Sequence, residues 1–313
     1  MRAAVISAGS NSCRLLIARI GSWSGRIHST DDPEVVIEHH DIRTTRLGEG
    51  VSSSGVLSPE AMKRTLAAFE EFAQLGKQAD RLWAIGTAAL REASNADDFA
   101  AQTRSITGVE LRILTGEEEA KASFDGALWA LERFGRPPEG AVAVVDIGGR
   151  STELASRAGS GEEVSLRSLP LGAVRMTERF FKHDPPRAQE LNACRTAVRI
   201  ELGATPGRSS QTLVFVGGTA DTAARMLHAY DPGSDVHVGT IRLADLEDLL
   251  RLTSSLPLEQ RKRLHGLPES RADIFPAGLV ILDEIVRHAD QSGFLVSESD
   301  LLVGFLLETT RMG

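Results

Sequence analysis

Three glycine-rich segments of the chain have the composition of phosphate-gripping turns. Gly9-Ser10-Asn11-Ser12 ends the apolar run Val5-Ile6-Ser7-Ala8, and Gly148-Gly149-Arg150-Ser151-Thr152 ends Val144-Val145-Asp146-Ile147. Gly217-Gly218-Thr219 follows Leu213-Val214-Phe215-Val216. Glycines let successive backbone N–H groups turn toward one anion, and Ser, Thr and Asn side chains add donors beside them. A single turn of this kind is more often only a turn. The first two, however, align at a constant offset, with Gly9 on Gly148, Ser12 on Ser151 and Leu15 on Leu154. Each reads as a β-hairpin with a Gly/Ser/Thr tip. Two copies in register imply two half-chains of related fold whose tips face one phosphate ligand. The third segment reads as a strand running into a helix, where phosphate would meet the positive helix end. The plainer reading leaves Thr219 or Asp221 as the helix N-cap.

The elements that must position these turns alternate between strand and helix. Pro59 to Leu75 has a helical apolar period (Met62, Leu66, Phe69, Phe72) with Ser58 as N-cap. Arg81 to Ile85 reads as a strand, with Gly86-Thr87-Ala88-Ala89-Leu90-Arg91 opening a helix. Glu110 to Leu114 is a further strand, and Glu117-Glu118-Glu119-Ala120 opens a helix through Leu131. The fold class is therefore α/β with antiparallel hairpins mixed in. On residue type alone, the three glutamates are a solvated first helical turn that suits the helix dipole, and Arg91 is a surface arginine.

Composition narrows the partners. The chain has 313 residues with 35 basic against 43 acidic side chains, a net charge of −8, which excludes a basic nucleic-acid coat. Only five basic residues are Lys and thirty are Arg, so planar bidentate contacts are on offer wherever an arginine lines a site. Two cysteines, Cys13 and Cys194, make neither a disulfide framework nor a thiolate zinc site. No signal peptide or long apolar span is visible, so the expected location is cytoplasmic, with no membrane partner. His39-His40-Asp41 and His183-Asp184 lack the spacing of a metal-ligand set and read as surface or loop histidines.

Taken together, the motifs resemble the exopolyphosphatase/guanosine-pentaphosphate phosphatase (Ppx/GppA) family, collinearly from end to end. The resemblance rests on GSNS at Gly9–Ser12, RLGEGV at Arg46–Val51, GTAALREASN at Gly86–Asn95 and TGEEEA at Thr115–Ala120. It continues through DIGGRSTEL at Asp146–Leu154, LPLGAVRMTE at Leu169–Glu178, VGGTADT at Val216–Thr222 and RADIFPAGLVIL at Arg271–Leu282. It implies two actin-like (ribonuclease H-like) domains of mixed sheets flanked by helices, with the active site in the cleft between them. The expected division is 1–124, completed by the C-terminal helix 298–313, and 125–297, a short form with no appended module.

The resemblance further implies a hydrolase that releases terminal phosphate from polyphosphate or guanosine pentaphosphate by Mg²⁺-assisted attack of water. Tetraphosphate is a possible nucleotide partner. The family's catalytic glutamate falls on Glu119, its motif aspartate on Asp146 and the acid ending that motif on Glu153. Phosphoryl transfer needs positioning and charge neutralisation, and the expected roles follow. Glu119 orients water, Asp146 and Glu153 hold Mg²⁺, and Arg91 neutralises developing charge. The three glycine-rich segments, Arg150 and Thr152 included, cradle phosphates. Three positions depart from the family pattern: Ser7 for aspartate, Arg150 for a third glycine and Leu302 for arginine. They motivate an alternative, a catalytically impaired polyphosphate or alarmone sensor. A kinase of the same superfold is a further alternative, without a marked adenosine pocket. A homodimer is the expected assembly.

Overall fold

The computed structural model describes residues 1–21, 35–159, 163–203, 211–228 and 238–311. The chain opens with the strands β1 (Arg2–Ala8), β2 (Ser12–Ile20) and β3 (Val35–Thr44), followed by the helices α1 (Val51–Ser54) and α2 (Pro59–Gly76). Next come β4 (Arg81–Gly86), α3 (Ala88–Glu92), α4 (Ala96–Thr107), β5 (Leu111–Ile113) and the long α5 (Gly116–Arg133). The second half runs β6 (Val142–Ile147), β7 (Thr152–Arg157), β8 (Ser165–Leu169), α6 (Ala173–Phe180), α7 (Ala188–Leu202), β9 (Thr212–Val216) and α8 (Gly217–Met226). It ends with β10 (Val238–Arg242), α9 (Leu243–Ser255), α10 (Leu258–Arg261), α11 (Phe275–His288), β11 (Gly293–Ser297) and α12 (Leu301–Arg311).

The hairpin repeat extends to whole sheets. The first sheet has the order β3-β2-β1-β4-β5 and the second β10-β11-β9-β6-β7-β8. Read from β3 or from β8, each has two antiparallel pairings and then two parallel ones. The second sheet adds β10 antiparallel at its far edge. This is the actin-like arrangement, present twice.

Strand alternation sorts side chains into three apolar layers. Ala4, Ile6, Leu15 and Ile17 pack with Phe69, Phe72 and Phe99 of α2 and α4. Ala3, Val5 and Leu16 face the other way, onto α5 and α12, and meet Val144, Val214 and Val216 of the second sheet there. Val145, Ile147 and Phe215 point outward onto the helices of the second half, with Val280 and Ile281 of α11 among their neighbours. α5 and α12 therefore lie between the sheets and against each other, α5 covering β6, β7 and β8 of the second sheet and α12 lying over β1 of the first. The expected division after residue 124 falls inside α5, a continuous helix. Of the expected C-terminal helix, α12 spans Leu301–Arg311, and residues 312 and 313 lie outside the described residues.

These two helices cross at backbone contact. A Cβ on Gly126 of α5 would stand 2.1 Å from the Asp300 carbonyl oxygen, and one on Gly304 of α12 would stand 1.7 Å from that of Ala122. No rotamer relieves a clash with backbone. Gly126→Ala and Gly304→Ala are each expected to lower unfolding stability by about 1–3 kcal/mol or more, read as a drop in urea midpoint, whereas Gly55→Ala, beside open space, costs only the left-handed backbone penalty, on the order of 1 kcal/mol.

Candidate active site

Both hairpin tips close with the same bond: Gly9 N donates to Ser12 O, and Gly148 N to Ser151 O, at 3.0 Å each. Each tip is then clamped from its own half. Gly48 N donates to Ser10 O, and Thr45 and Arg46 N donate to Asn11 O. At the second tip, Ala173 N donates to Gly148 O while Val174 and Arg175 N donate to Gly149 O. The tips meet face to face, since a Cβ on Gly149 would lie 3.0 Å from Ser10 Cβ and 3.4 Å from Asn11 N. Behind them opens a cleft of about 370 Å³ lined by both tips, Glu119, Asp146, Glu153 and the start of α8.

Register places the acids. Asp146 and Glu153 are direct partners across the β6–β7 hairpin, so their side chains share one face, as do Ser7 and Arg14 across β1–β2. Burial pushes both acids' pKa values up; Asp300 pushes Asp146 further, and Asp146 does the same to Glu153. Opposing this, Ser123 Oγ donates to Asp146 Oδ2 at 2.7 Å and Ser168 Oγ to Glu153 Oε1 at 2.8 Å.

α5 presents Glu119 to this cluster. Thr115 and Glu118 form a reciprocal capping box that fixes the helix start. Glu117 stays exposed, Glu118 is spent on the cap and on Arg112, and Glu119 is buried. Glu119 Oε1 is paired with Arg91 Nη1, which also donates to Leu114 O at 2.7 Å. Arg91 Nη2 lies 3.9 Å from Glu153 Oε1, which brings the three side chains into one cluster.

Residues 27–310 match the family model described as Ppx/GppA phosphatase family. The chain belongs to this family. Exopolyphosphatase 2 of Mycobacterium tuberculosis is 34% identical over 326 residues, with 98% of each chain covered. Exopolyphosphatase 1 of Mycobacterium bovis is 29% identical over 297 residues, covering 92% of this chain and 82% of that protein. The crystal structure of the Aquifex aeolicus Ppx/GppA family member superposes with a TM-score of 0.79 at 28% identity, covering 100% of this chain and 98% of the other.

In this Ppx/GppA chain the cleft gathers most residues expected from sequence: Gly9, Ser10, Asn11, Ser12, Glu119, Asp146, Gly148, Gly149, Ser151, Glu153, Gly217, Gly218 and Thr219. Arg91 stands behind Glu119. Two expectations fail. Arg150 is 1% exposed and its guanidinium donates to Glu92 and to the Gly48 carbonyl, away from the cleft. Its φ is not positive, so the missing glycine brings no backbone strain. Thr152 alternates to the opposite face of β7 from Glu153 and donates to Leu171 O at 2.6 Å. The helix after the third segment begins at Gly217 with Val216 as N-cap, so neither Thr219 nor Asp221 caps it. Gly217 has φ +81°, and a Cβ there would stand 2.3 Å from Asp146 Oδ1. His39 and His40 lie on the exposed strand β3 rather than in a loop, with His40 at the cleft margin, while His183 pairs with Glu190.

Sequence reasoning missed Arg14, Arg271, Asp300 and Ser123. Arg14 pairs with Asp300 across the cleft and was detectable, because the repeat alignment lays it over Glu153. Arg271 opens a quoted motif; its guanidinium lies over Gly218, where a Cβ would come within 2.1 Å of Cζ, and it has no ion-pair partner among the described residues. Asp300 and Ser123 carry no local signal.

A carboxylate whose folded pKa is raised binds its proton more tightly folded than unfolded. Metal-free stability should then fall as pH climbs from the ordinary carboxylate range toward neutrality. Glu153→Gln, which keeps an acceptor for Ser168, is expected to raise metal-free stability at neutral pH by on the order of 1 kcal/mol and to flatten this decline, measured by urea unfolding in a chelator.

Proposed function

We propose that the chain hydrolyses the terminal phosphoanhydride of inorganic polyphosphate, with guanosine pentaphosphate as a second substrate. The observation that carries this reading is the buried Glu119, held by Arg91 within reach of the Asp146–Glu153 pair and opposite two interlocked phosphate-type tips. The relatives named exopolyphosphatase support the same substrate class.

In this reading the terminal phosphoryl group rests against the backbone N–H groups and hydroxyls of the tips. Glu119 Oε1 is taken by Arg91, and Oε2 has no protein partner among the described residues, so it is the acceptor for water. Water oxygen bonds to the terminal phosphorus as the bridging P–O bond breaks. Its proton passes toward Glu119, and the bond pair leaves with the shortened chain. Arg91, pinned by the Leu114 carbonyl, stabilises charge on the phosphoryl oxygens.

Asp146 and Glu153 are suited to Mg²⁺. They are two hard oxygen donors in cross-strand register, both held at raised proton affinity by burial, with Asp300 adding to Asp146 and Asp146 adding to Glu153. Among the described residues no three His, Cys, Asp or Glu side chains group as a complete metal site. Mg²⁺ held by these two carboxylates would fill the rest of its shell with waters and substrate oxygens. Bound there, Mg²⁺ would supply charge neutralisation at the phosphates. Gly217 leaves room for Asp146, and Ser123 and Ser168 fix the two carboxylates.

The impaired-sensor alternative is not supported. Of the three departures behind it, Arg150 and Leu302 lie outside the cleft, Leu302 within the apolar layer between the sheets. Only Ser7 lines it. No described helix is long and apolar enough to cross a membrane.

Phosphate release from polyphosphate and from guanosine pentaphosphate with Mg²⁺ tests the reading. Glu119→Gln is expected to lower kcat by about 10²–10⁴-fold without loss of fold, and negligible release by the native chain from both substrates would remove it.

A further inference from the structure

Arg150 is among the largest fully buried side chains of the described residues, yet it does not line the cleft. Rooted in the second hairpin tip, it reaches into the first half. Nε and Nη2 donate to Glu92 Oε2 at 3.0 and 2.5 Å, and Nη1 donates to Gly48 O at 3.0 Å. Glu92 Oε1 takes a second arginine of the same half, Arg175, whose Nε donates back to the Arg150 carbonyl at 2.8 Å. Glu178 completes the group: Oε1 accepts Gly50 N at 2.9 Å, and Oε2, otherwise without a hydrogen-bond partner, lies 3.9 Å from Arg150 Nη1. One guanidinium therefore joins both halves at two points, the end of α3 and the loop after β3.

Both points lead to the site. α3 is a short helix of five residues. Thr87 and Ala88 at its start line the cleft, Arg91 in its last turn holds Glu119, and Glu92 ends it. A helix this short has few internal hydrogen bonds, so the anchor at Glu92 acts with the Leu114 carbonyl in setting where Arg91 points. The loop anchored at Gly48 in turn donates to Ser10 O of the first tip.

We propose that Arg150 is a positioning residue, a latch that couples closure of the two halves to the placement of the Arg91–Glu119 pair at the reacting phosphoryl group. The placement part rests on the hydrolase reading above; the latch itself does not. Opening the halves breaks the Arg150–Glu92 contact and releases α3 and the 46–51 loop together, so the site is complete only when closed.

The test compares Arg150→Met, which keeps volume and removes charge, with Arg150→Lys, Glu92→Gln and the Arg150→Met/Glu92→Gln double variant. Two readouts are followed: amide hydrogen exchange of the ligand-free chain, and kcat and KM on polyphosphate with Mg²⁺. Arg150→Met should speed exchange in residues 46–51 and 87–92 together and lower kcat by about ten- to a hundred-fold, with a smaller change in KM. Arg150→Lys should recover part of both losses. The double variant should be no worse than the worse single, because both break one contact. Unchanged exchange at 87–92 in Arg150→Met, with or without a fall in kcat, overturns the coupling, as does an additive double variant. If Arg150→Met does not fold, Glu92→Gln, altered at a half-exposed side chain, carries the same comparison. If the native chain releases no phosphate, the hydrolase reading falls, while the exchange data still decide whether Arg150 ties the halves.

Discussion

The closest constraint in the molecule is the crossing of α5 and α12. Gly126 and Gly304 let two helix backbones touch, where any side chain would push them apart. That contact sets the spacing of the two sheets, because α5 packs on the second sheet, α12 on the first, and the two helices on each other. It also sets what reaches the cleft. Glu119 and Ser123 are four residues apart on one face of α5, so one helix delivers a carboxylate to Arg91 and a hydroxyl to Asp146. Asp300, whose carbonyl sits on Gly126, delivers its own carboxylate to Arg14. A slightly wider crossing would part Glu119 on α5 from Arg91 of the first half.

The charge distribution follows from the same economy. The chain carries a net charge of −8, and most arginines near the cleft are already committed to acids: Arg14 to Asp300, Arg91 to Glu119, Arg225 to Asp221 and Glu298. A phosphate chain entering under the proposed function is met chiefly by backbone donors and hydroxyls of the tips, with Arg271 as a cation not paired in any described ion bridge. Long-range attraction is weak for such a surface, so affinity must be local. The raised proton affinity of Asp146 and Glu153 comes from burial first and then from neighbouring carboxylates, Asp300 beside Asp146 and Asp146 beside Glu153.

Much of this was legible in the chain before folding. The hairpin repeat, the Ser58 cap and the strand–turn–helix at Val216–Gly217 are all encoded within a few residues of one another, where local geometry decides. Arg14 was readable as well, since the repeat lays it over Glu153. Arg150 and Thr152 were misread for a reason the strand period explains. Residue type made both plausible donors, but alternation turns Thr152 off the cleft face of β7, and the direction of a long arginine depends on which acid the other half brings near.

Sequence by itself determined the two related halves and their glycine tips, because hydrogen-bonded turns and alternating strands are set by neighbours along the chain, while Glu119, Asp146 and Glu153 stood out through the resemblance to the family. Tertiary structure alone decided that α5 covers the second sheet while handing Glu119 to Arg91 of the first half, that Ser123 and Asp300 serve the cleft, and that Arg150 reaches from one half to the other instead of lining the site. Those facts depend on pairs such as Gly126 with Asp300 and Arg150 with Glu92, whose separation in the chain leaves no local trace and whose energy exists only once the two sheets have closed on the helices between them.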